Sequence, residues 1–374
     1  MEPSIYSYSL CIALPLMLFF GFYFLLAPTS EKAIFNNYLR SRRIMGVAIL
    51  LLAANYSVHF FFGIRFKNTD AAILMNLSTY FLCYWLFSSA LTTLLDRFYI
   101  TKRRLRTHIC LWILFSILSG IVLLLLPKGG LQTTVMFALA AWLVIYGLFL
   151  TRRLLRAYHR VIRIFDDTRA DDIGAYIKWL SIFTYWAVTF GVGCGLLTFL
   201  PDEYVYIWIL SSVPFYIYLF LCYLNYLLFY EQVENAMEDG MTSEEEDLCD
   251  TTNREQAQRQ DTPFFHAEIA KKIKGCIDAD GYIRPGLTIK ELSDVLHTNR
   301  TYLSGYIKTT YDMSFRDWII GLRIEYAKRL LARYPRVTVA DISEKSGFLS
   351  PSHFIRLFKE NAGCTPKWRK TEAE

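Results

Sequence analysis

The sequence is poor in acids where it is most apolar. Residues 1–230 carry 10 Asp and Glu against 19 Lys and Arg, and none of those acids falls inside a long apolar run. Ion-coupled transporters commonly hold a carboxylate in mid-membrane, so its lack argues against one. Motifs of catalysis are also missing: there is no P-loop, no HExxH and no GxSxG. Cysteine is present, with eight residues, but no CxxC pair occurs and no His stands at zinc-finger spacing. Five of the eight lie in apolar runs, where a free thiol behaves as a small hydrophobe. No catalytic residue, disulfide framework, structural metal or cofactor is therefore expected.

What the sequence does have is unevenly placed. Hydrophobic residues make up 54% of the 374, nearly all of the long runs lying before residue 231. Formal charge divides the chain in three: +9 over residues 1–230, −9 over 231–262 and +6 over 263–374. These three regions read as a membrane domain, an acidic linker and a soluble domain.

Seven apolar stretches follow one another: Tyr6–Leu26, Ile44–Phe62, Ala72–Leu95, His108–Leu126, Thr133–Leu150, Trp179–Leu200 and Tyr204–Phe229. Each is long enough to cross ~30 Å of hydrocarbon as a helix. Because the pattern repeats to residue 229, the first stretch reads as a retained span rather than a cleaved signal. With the N-terminus outside, the inside loops 27–43, 96–107 and 151–178 hold sixteen Lys and Arg, and the outside loops hold only Arg65, Lys67 and Lys128. This positive-inside bias puts everything after Phe229 in the cytoplasm. The predicted location is the inner membrane, multi-pass, with the bilayer as a partner.

Few polar side chains interrupt the spans. Asn55 and His59 stand four residues apart, on one face of the second span. They read either as a membrane sensor site or as interhelical hydrogen bonding. Four acids, Asp166, Asp167, Asp171 and Asp172, lack the Gly and final Glu of a calcium loop and read as a solvated turn. Residues 231–262 have too few apolar anchors to fold alone and read as a tether, its first part continuing the last span as a helix.

From Phe264 a helical period appears in Phe265, Ile269, Ile273 and Ile277. Thr288 with Glu291 forms a capping-box pattern before a short helix, Ile289–His297. Thr298-Asn299 is the turn, and Asn299 caps a second helix, Arg300–Thr309. Two short helices on a tight turn make a helix-turn-helix. A longer helix, Ser314–Ala332, follows, and then the pattern recurs: a short helix from Val339, a Gly347-Phe348 turn, and a helix Pro351–Asn361 capped by Ser350.

This duplication resembles the DNA-binding domain of the AraC/XylS family of bacterial transcription regulators. The resemblance rests on Leu322-Arg323-Ile324, on Ile342 through Phe348, and above all on Ser352-His353-Phe354-Ile355-Arg356-Leu357-Phe358-Lys359 with Gly363-Cys364-Thr365-Pro366 and Arg369. It covers roughly residues 285–370, and the family's usual effector domain is replaced here by the apolar spans. It implies that each second helix enters a major groove of double-stranded DNA, with RNA polymerase as a further partner. Arg300, Thr301 and Ser304 would face DNA from the first unit, and Ser350, Ser352, His353, Arg356 and Lys359 from the second. A basic residue is common in the family where this chain has Gly305. Arg suits bidentate contact with guanine, and Lys359 is placed for phosphate.

The expected protein is all-α: a seven-helix transmembrane bundle (1–230), an acidic linker (231–262) and a cytoplasmic AraC-type domain with two helix-turn-helix units (263–374). It reads as a membrane-bound transcription regulator whose spans sense a signal ligand or membrane partner, a homo-oligomer being one form open to it. The rival reading is a membrane transporter or enzyme carrying a fused regulatory domain.

Overall fold

A chain in hydrocarbon must satisfy its own backbone N–H and C=O groups, and a helix does so within one segment. The computed structural model describes residues 5–29, 32–168, 174–199, 202–249, 263–334 and 337–366, and among these every regular element is a helix. They are α1 (Ile5–Leu26), α2 (Asn36–Phe62), α3 (Ile64–Lys67), α4 (Thr69–Leu95), α5 (Lys102–Leu125), α6 (Gly130–Thr168), α7 (Gly174–Leu197), α8 (Asp202–Cys249), α9 (Pro263–Asp278), α10 (Ile289–Val295), α11 (Arg300–Tyr311), α12 (Phe315–Arg333), α13 (Val339–Lys345) and α14 (Pro351–Ala362). They form two compact units. One comprises Met1–Arg160 with Ile177–Glu231, the other Val161–Tyr176 with Gln232–Glu374.

In the first unit apolar side chains face outward as well as inward, and several polar ones are buried. Leu124 is 81% exposed and Leu228 74%, while Asn55 and His59 are 5% and 4% exposed. Apolar side chains outside and polar ones inside is what a lipid solvent selects. Among the described residues six helical segments are long and apolar enough to cross a membrane: Ile5–Leu26, Asn36–Phe62, Thr69–Leu95, Lys102–Leu125, Gly130–Asp167 and Tyr204–Leu228. The expected seventh span, Trp179–Leu200, falls on α7, which is not one of the six, and its end at Leu200 lies outside the described residues.

Several supposed loops are helical. Arg40, Arg42 and Arg43 lie on α2, Arg103 to Arg106 on α5, and Arg152 to Arg163 on α6. Arg42 is buried and donates to the Ala27 carbonyl at the end of α1. Small residues bring α1 and α2 together: a Cβ at Gly46 would stand 3.0 Å from the Gly21 carbonyl oxygen and 3.1 Å from the Phe24 Cβ. Asp166 and Asp167 also depart from the expected turn, standing near the end of α6 within the second unit, where Asp166 accepts from Arg316 Nη1 at 3.0 Å. Asp171 and Asp172 are outside the described residues.

The acidic segment differs from a loose tether as well. α8 continues through Glu244–Asp247 to Cys249. Glu, Met, Ala and Leu have high helix propensity, which outweighs the lack of a core over this stretch. Residues 250–262 are outside the described residues.

The C-terminal helices close on two apolar clusters. Ile269, Ile273, Leu292, Leu303, Ile307, Phe315 and Ile319 belong to the first; Ile320, Ile324, Leu331, Ile342, Phe354 and Phe358 belong to the second. The long helix α12 supplies both, its adjacent Ile319 and Ile320 entering different cores. Between them Arg323 is fully buried. Its Nε donates to the Tyr282 carbonyl at 3.0 Å and its Nη2 to the Arg284 carbonyl at 2.7 Å, and its guanidinium lies 5.9 Å from the Phe348 ring centroid. The Tyr282 hydroxyl accepts from Arg329 Nη2 at 3.0 Å and donates to Asp280; burial pushes its pKa up to about 12, so it stays protonated. Gly347 completes the junction. Its φ is +81°, and a Cβ there would meet the Ile283 carbonyl oxygen at 1.9 Å.

These contacts rank the substitutions. Thr288→Ala should cost about 1 kcal/mol, the usual value for a lost N-cap. Gly347→Ala should cost at least about 3 kcal/mol, because left-handed strain of about 1–2 kcal/mol adds to a clash with backbone. Hydrogen-exchange protection of α10 and α13 measures both, and equal losses of protection would contradict the account.

Candidate nucleic-acid interface

The two short-helix pairs are built alike down to single hydrogen bonds. Thr288 caps α10 through Glu291 N at 3.2 Å, with the Glu291 carboxylate returning to Thr288 N at 3.0 Å. Thr338 caps α13 in the same place, accepting from Asp341 N at 3.1 Å. The exits match too: Thr298 N donates to Ser293 O at 3.0 Å, and Phe348 N to Ser343 O at 3.1 Å. Both are the helix-closing bond that turns a chain sharply after a left-handed residue. That residue is His297 in the first unit (φ 50°) and Gly347 in the second. The second turn is longer by one residue, running Ser346–Ser350 where the first runs Leu296–Asn299. Asn299 Oδ1 accepts from Tyr302 N at 2.7 Å, whereas Ser350 holds the N-cap position without a side-chain bond, and Pro351 sets the first turn instead.

On α11, Leu303, Tyr306 and Ile307 are buried, leaving Thr301, Gly305 and Lys308 exposed, with Arg300 and Ser304 half-buried beside them. Lys308 was not singled out from the sequence, although its spacing of four from Ser304 and eight from Arg300 puts it on their face. A Cβ at Gly305 would meet nothing within 4 Å, so the position is open for a larger side chain.

On α14, Phe354, Leu357 and Phe358 are buried, and Ser352, Ile355, Arg356 and Lys359 are exposed. Ser350 and His353 are half-buried. The His353 ring stands edge-on to Phe348 at 6.4 Å between centroids, which draws it toward the core. Arg356 Nη1 stands 3.4 Å from Glu360 Oε1, both side chains about half-exposed. An exposed i,i+4 pair of this kind is weak. Two exposed apolar residues stand nearby, Leu349 just before the helix and Ile355 on it. Apolar side chains of this sort suit thymine methyl groups, a signal that charge alone did not reveal. Arg369 is outside the described residues.

In the first unit, Asn55 and His59 converge on Asn76. Asn76 Oδ1 accepts from Asn55 Nδ2 at 2.7 Å and from His59 Nε2 at 2.8 Å, and Thr79 donates to Asn55 Oδ1 at 3.4 Å. This buried network ties α2 to α4, as polar groups between membrane helices commonly do. No cluster of His, Cys, Asp or Glu able to hold a metal occurs among the described residues.

Residues 292–370 match the family model of a helix-turn-helix domain. The C-terminal region is a helix-turn-helix domain of AraC type. Among similar curated proteins, the uncharacterized HTH-type transcriptional regulator YobQ of Bacillus subtilis is 36% identical over 81 residues, 22% of this chain and 33% of its own length. YtdP of the same organism, also an uncharacterized HTH-type transcriptional regulator, is 38% identical over 80 residues, 21% of this chain and 10% of its own. The virulence regulon transcriptional activator VirF of Yersinia enterocolitica is 40% identical over 58 residues, 16% of this chain and 21% of its own. The chain thus spans a third or less of the length of these relatives. No solved structure matches significantly. The domain and its relatives support DNA-binding transcription regulation and point away from an enzyme, and the matched residues leave the apolar region unassigned.

Arg356 and Lys359 should separate in their effects. Arg356→Ala should cost about 1–3 kcal/mol and relax preference at one base position. Lys359→Ala should weaken all duplexes alike and lower the salt slope by about one. Binding titrations of the full chain on singly substituted duplexes measure both, and a uniform loss from Arg356→Ala would move that residue to the phosphate backbone.

Proposed function

We propose that this chain is a membrane-bound, sequence-specific transcription regulator of AraC/XylS type whose membrane domain receives a signal. The observation that supports it most is the joining, in one chain, of six apolar helices with outward hydrophobes and inward polar groups to a helix-turn-helix domain. Residues 1–230 form the membrane domain, 231–262 the acidic connection and 263–374 the DNA-binding domain. α7, with Lys178 as its single charge, is the seventh span, and an odd number of spans sets the two ends of the bundle on opposite sides. The positive-inside bias then places the N-terminus outside and the DNA-binding domain in the cytoplasm.

In this reading α11 and α14 each enter a major groove. Arg300, Thr301 and Ser304, joined by Lys308, face DNA from the first unit. Ser350, Ser352, Arg356 and Lys359 do so from the second, with His353 helping to set the helix rather than reading a base. RNA polymerase and a second copy of the chain are further partners. The signal travels along α8, whose unbroken helix to Cys249 passes on a rotation or shift that a loose tether would absorb.

Topology tests the proposal first. Reporter fusions should read inside after Lys102, Arg160 and Glu231 and outside after Lys67 and Lys128. An outside reading after Glu231 would separate the domain from DNA and overturn the proposal.

A further inference from the structure

Inside the first unit, α2, α4, α6, α7 and α8 surround a cavity of about 120 Å³. Its walls include Tyr56, Tyr80, Tyr84, Tyr216 and Trp208, and among the described residues no acidic, basic or histidine side chain lines it. The Asn55–His59–Asn76 network takes no part in the lining, so this is a separate feature.

Two of the hydroxyl groups in the lining are already committed as donors: Thr184 to Leu180 O at 2.6 Å and Ser212 to Ile209 O at 2.7 Å. Ser88 is different. It lines the cavity, is 9% exposed, and its buried Oγ has no hydrogen-bond partner. A buried polar group left unmade is unfavourable, and more so in a membrane interior, where the surroundings offer no replacement.

We infer that this cavity is a binding site for a small, uncharged aromatic molecule bearing one hydroxyl, a monocyclic phenol being the simplest case. Size limits the ligand to a single ring, since the cavity is smaller than the about 150 Å³ that takes one benzene and its wall side chains must give way for a phenol. The aromatic walls favour a ring through offset and edge contacts. The lack of any charged lining group excludes an ionised ligand such as a benzoate, whose desolvation nothing there would offset. Ser88 Oγ is turned away from the cavity space, and rotation of its side chain would present it to the ligand hydroxyl as a partner. The inference rests on the proposed role of the membrane domain as receiver and names its ligand class.

The test uses the full chain in lipid nanodiscs, with empty nanodiscs correcting for partition into lipid. Binding of phenol, toluene and benzoate is read by saturation-transfer NMR, and DNA affinity is measured in parallel. Phenol should bind, benzoate should not, and Ser88→Ala should weaken phenol about threefold while leaving toluene unchanged. Gly147→Leu should weaken both rings at least tenfold by filling the space. A Cβ there meets only the Tyr84 ring, at 3.0 Å, and that ring can shift. Should Gly147→Leu fail to fold, Ala187→Phe fills the same cavity from α7.

Phenol binding unchanged in a folded filled variant, or benzoate binding as well as phenol, would overturn the inference. So would an absence of phenol binding by protein that still binds DNA, and the regulator reading would then survive. Ring binding that never alters DNA affinity would keep the site and remove its role as a receiver.

Discussion

A single buried guanidinium holds the DNA-binding half together. Arg323 sits where the two apolar clusters meet, and a charge so placed is tolerated only because backbone carbonyls satisfy it. Those carbonyls belong to Tyr282 and Arg284, in the segment leading into the first helix pair, while Phe348 beneath the guanidinium belongs to the turn of the second. Gly347 packs against Ile283 in the same seam, with no room for a side chain. The spacing between the two recognition helices is therefore set by hydrogen bonds and contact as well as by the length of α12. Loss of the guanidinium would leave two carbonyls unpaired in a dry junction, whose effect would fall on geometry as much as on stability.

The first unit has the surface expected of a chain in the opposite solvent, the lipid of the proposed membrane domain. Its outward face is apolar, and its interior collects Ser41, Asn55, His59, Asn76 and Ser88. Most of these find partners across helices: Ser41 reaches the Ala90 carbonyl at 2.6 Å and stands 2.9 Å from the Tyr223 hydroxyl. With nothing hydrophobic to drive helix association in lipid, such bonds and close contacts such as Gly21 on Gly46 fix the bundle. Against that background the chargeless aromatic cavity stands apart by its lining, and Ser88 shares its lack of a partner with Ser89 and the Trp85 ring nitrogen.

Much of this was legible in the sequence, where local chemistry decides local structure. The Thr288–Glu291 capping box, the Asn299 cap and the Ser314 start of α12 follow from residue types at fixed offsets, and each makes its expected bond. The Ser350 cap does not, because Pro351 already fixes the first turn. Boundaries of the spans were drawn on hydropathy, so basic helical ends such as Arg152–Arg163 were read as loops although their backbone continues the helix. The role of Arg323 was hidden for a different reason. A charged residue on an amphipathic helix reads as exposed unless the carbonyls that bury it can be foreseen, and those lie some forty residues earlier. Among the candidate contacts, Arg356 and Lys359 lie exposed as their spacing from Phe354 and Phe358 implies, while His353 is held partly inward by an aromatic neighbour.

In the proposed function two helix-turn-helix units, locked at fixed spacing, read two successive grooves on one face of DNA. Hydroxyl-radical footprinting of the full chain in nanodiscs on its bound duplex tests this most directly. The account predicts two protected segments with centres about one helical turn, roughly 10 bp, apart. Inserting about half a turn between the segments should abolish high-affinity binding. A single protected segment, or binding that tolerates the insertion, would contradict it.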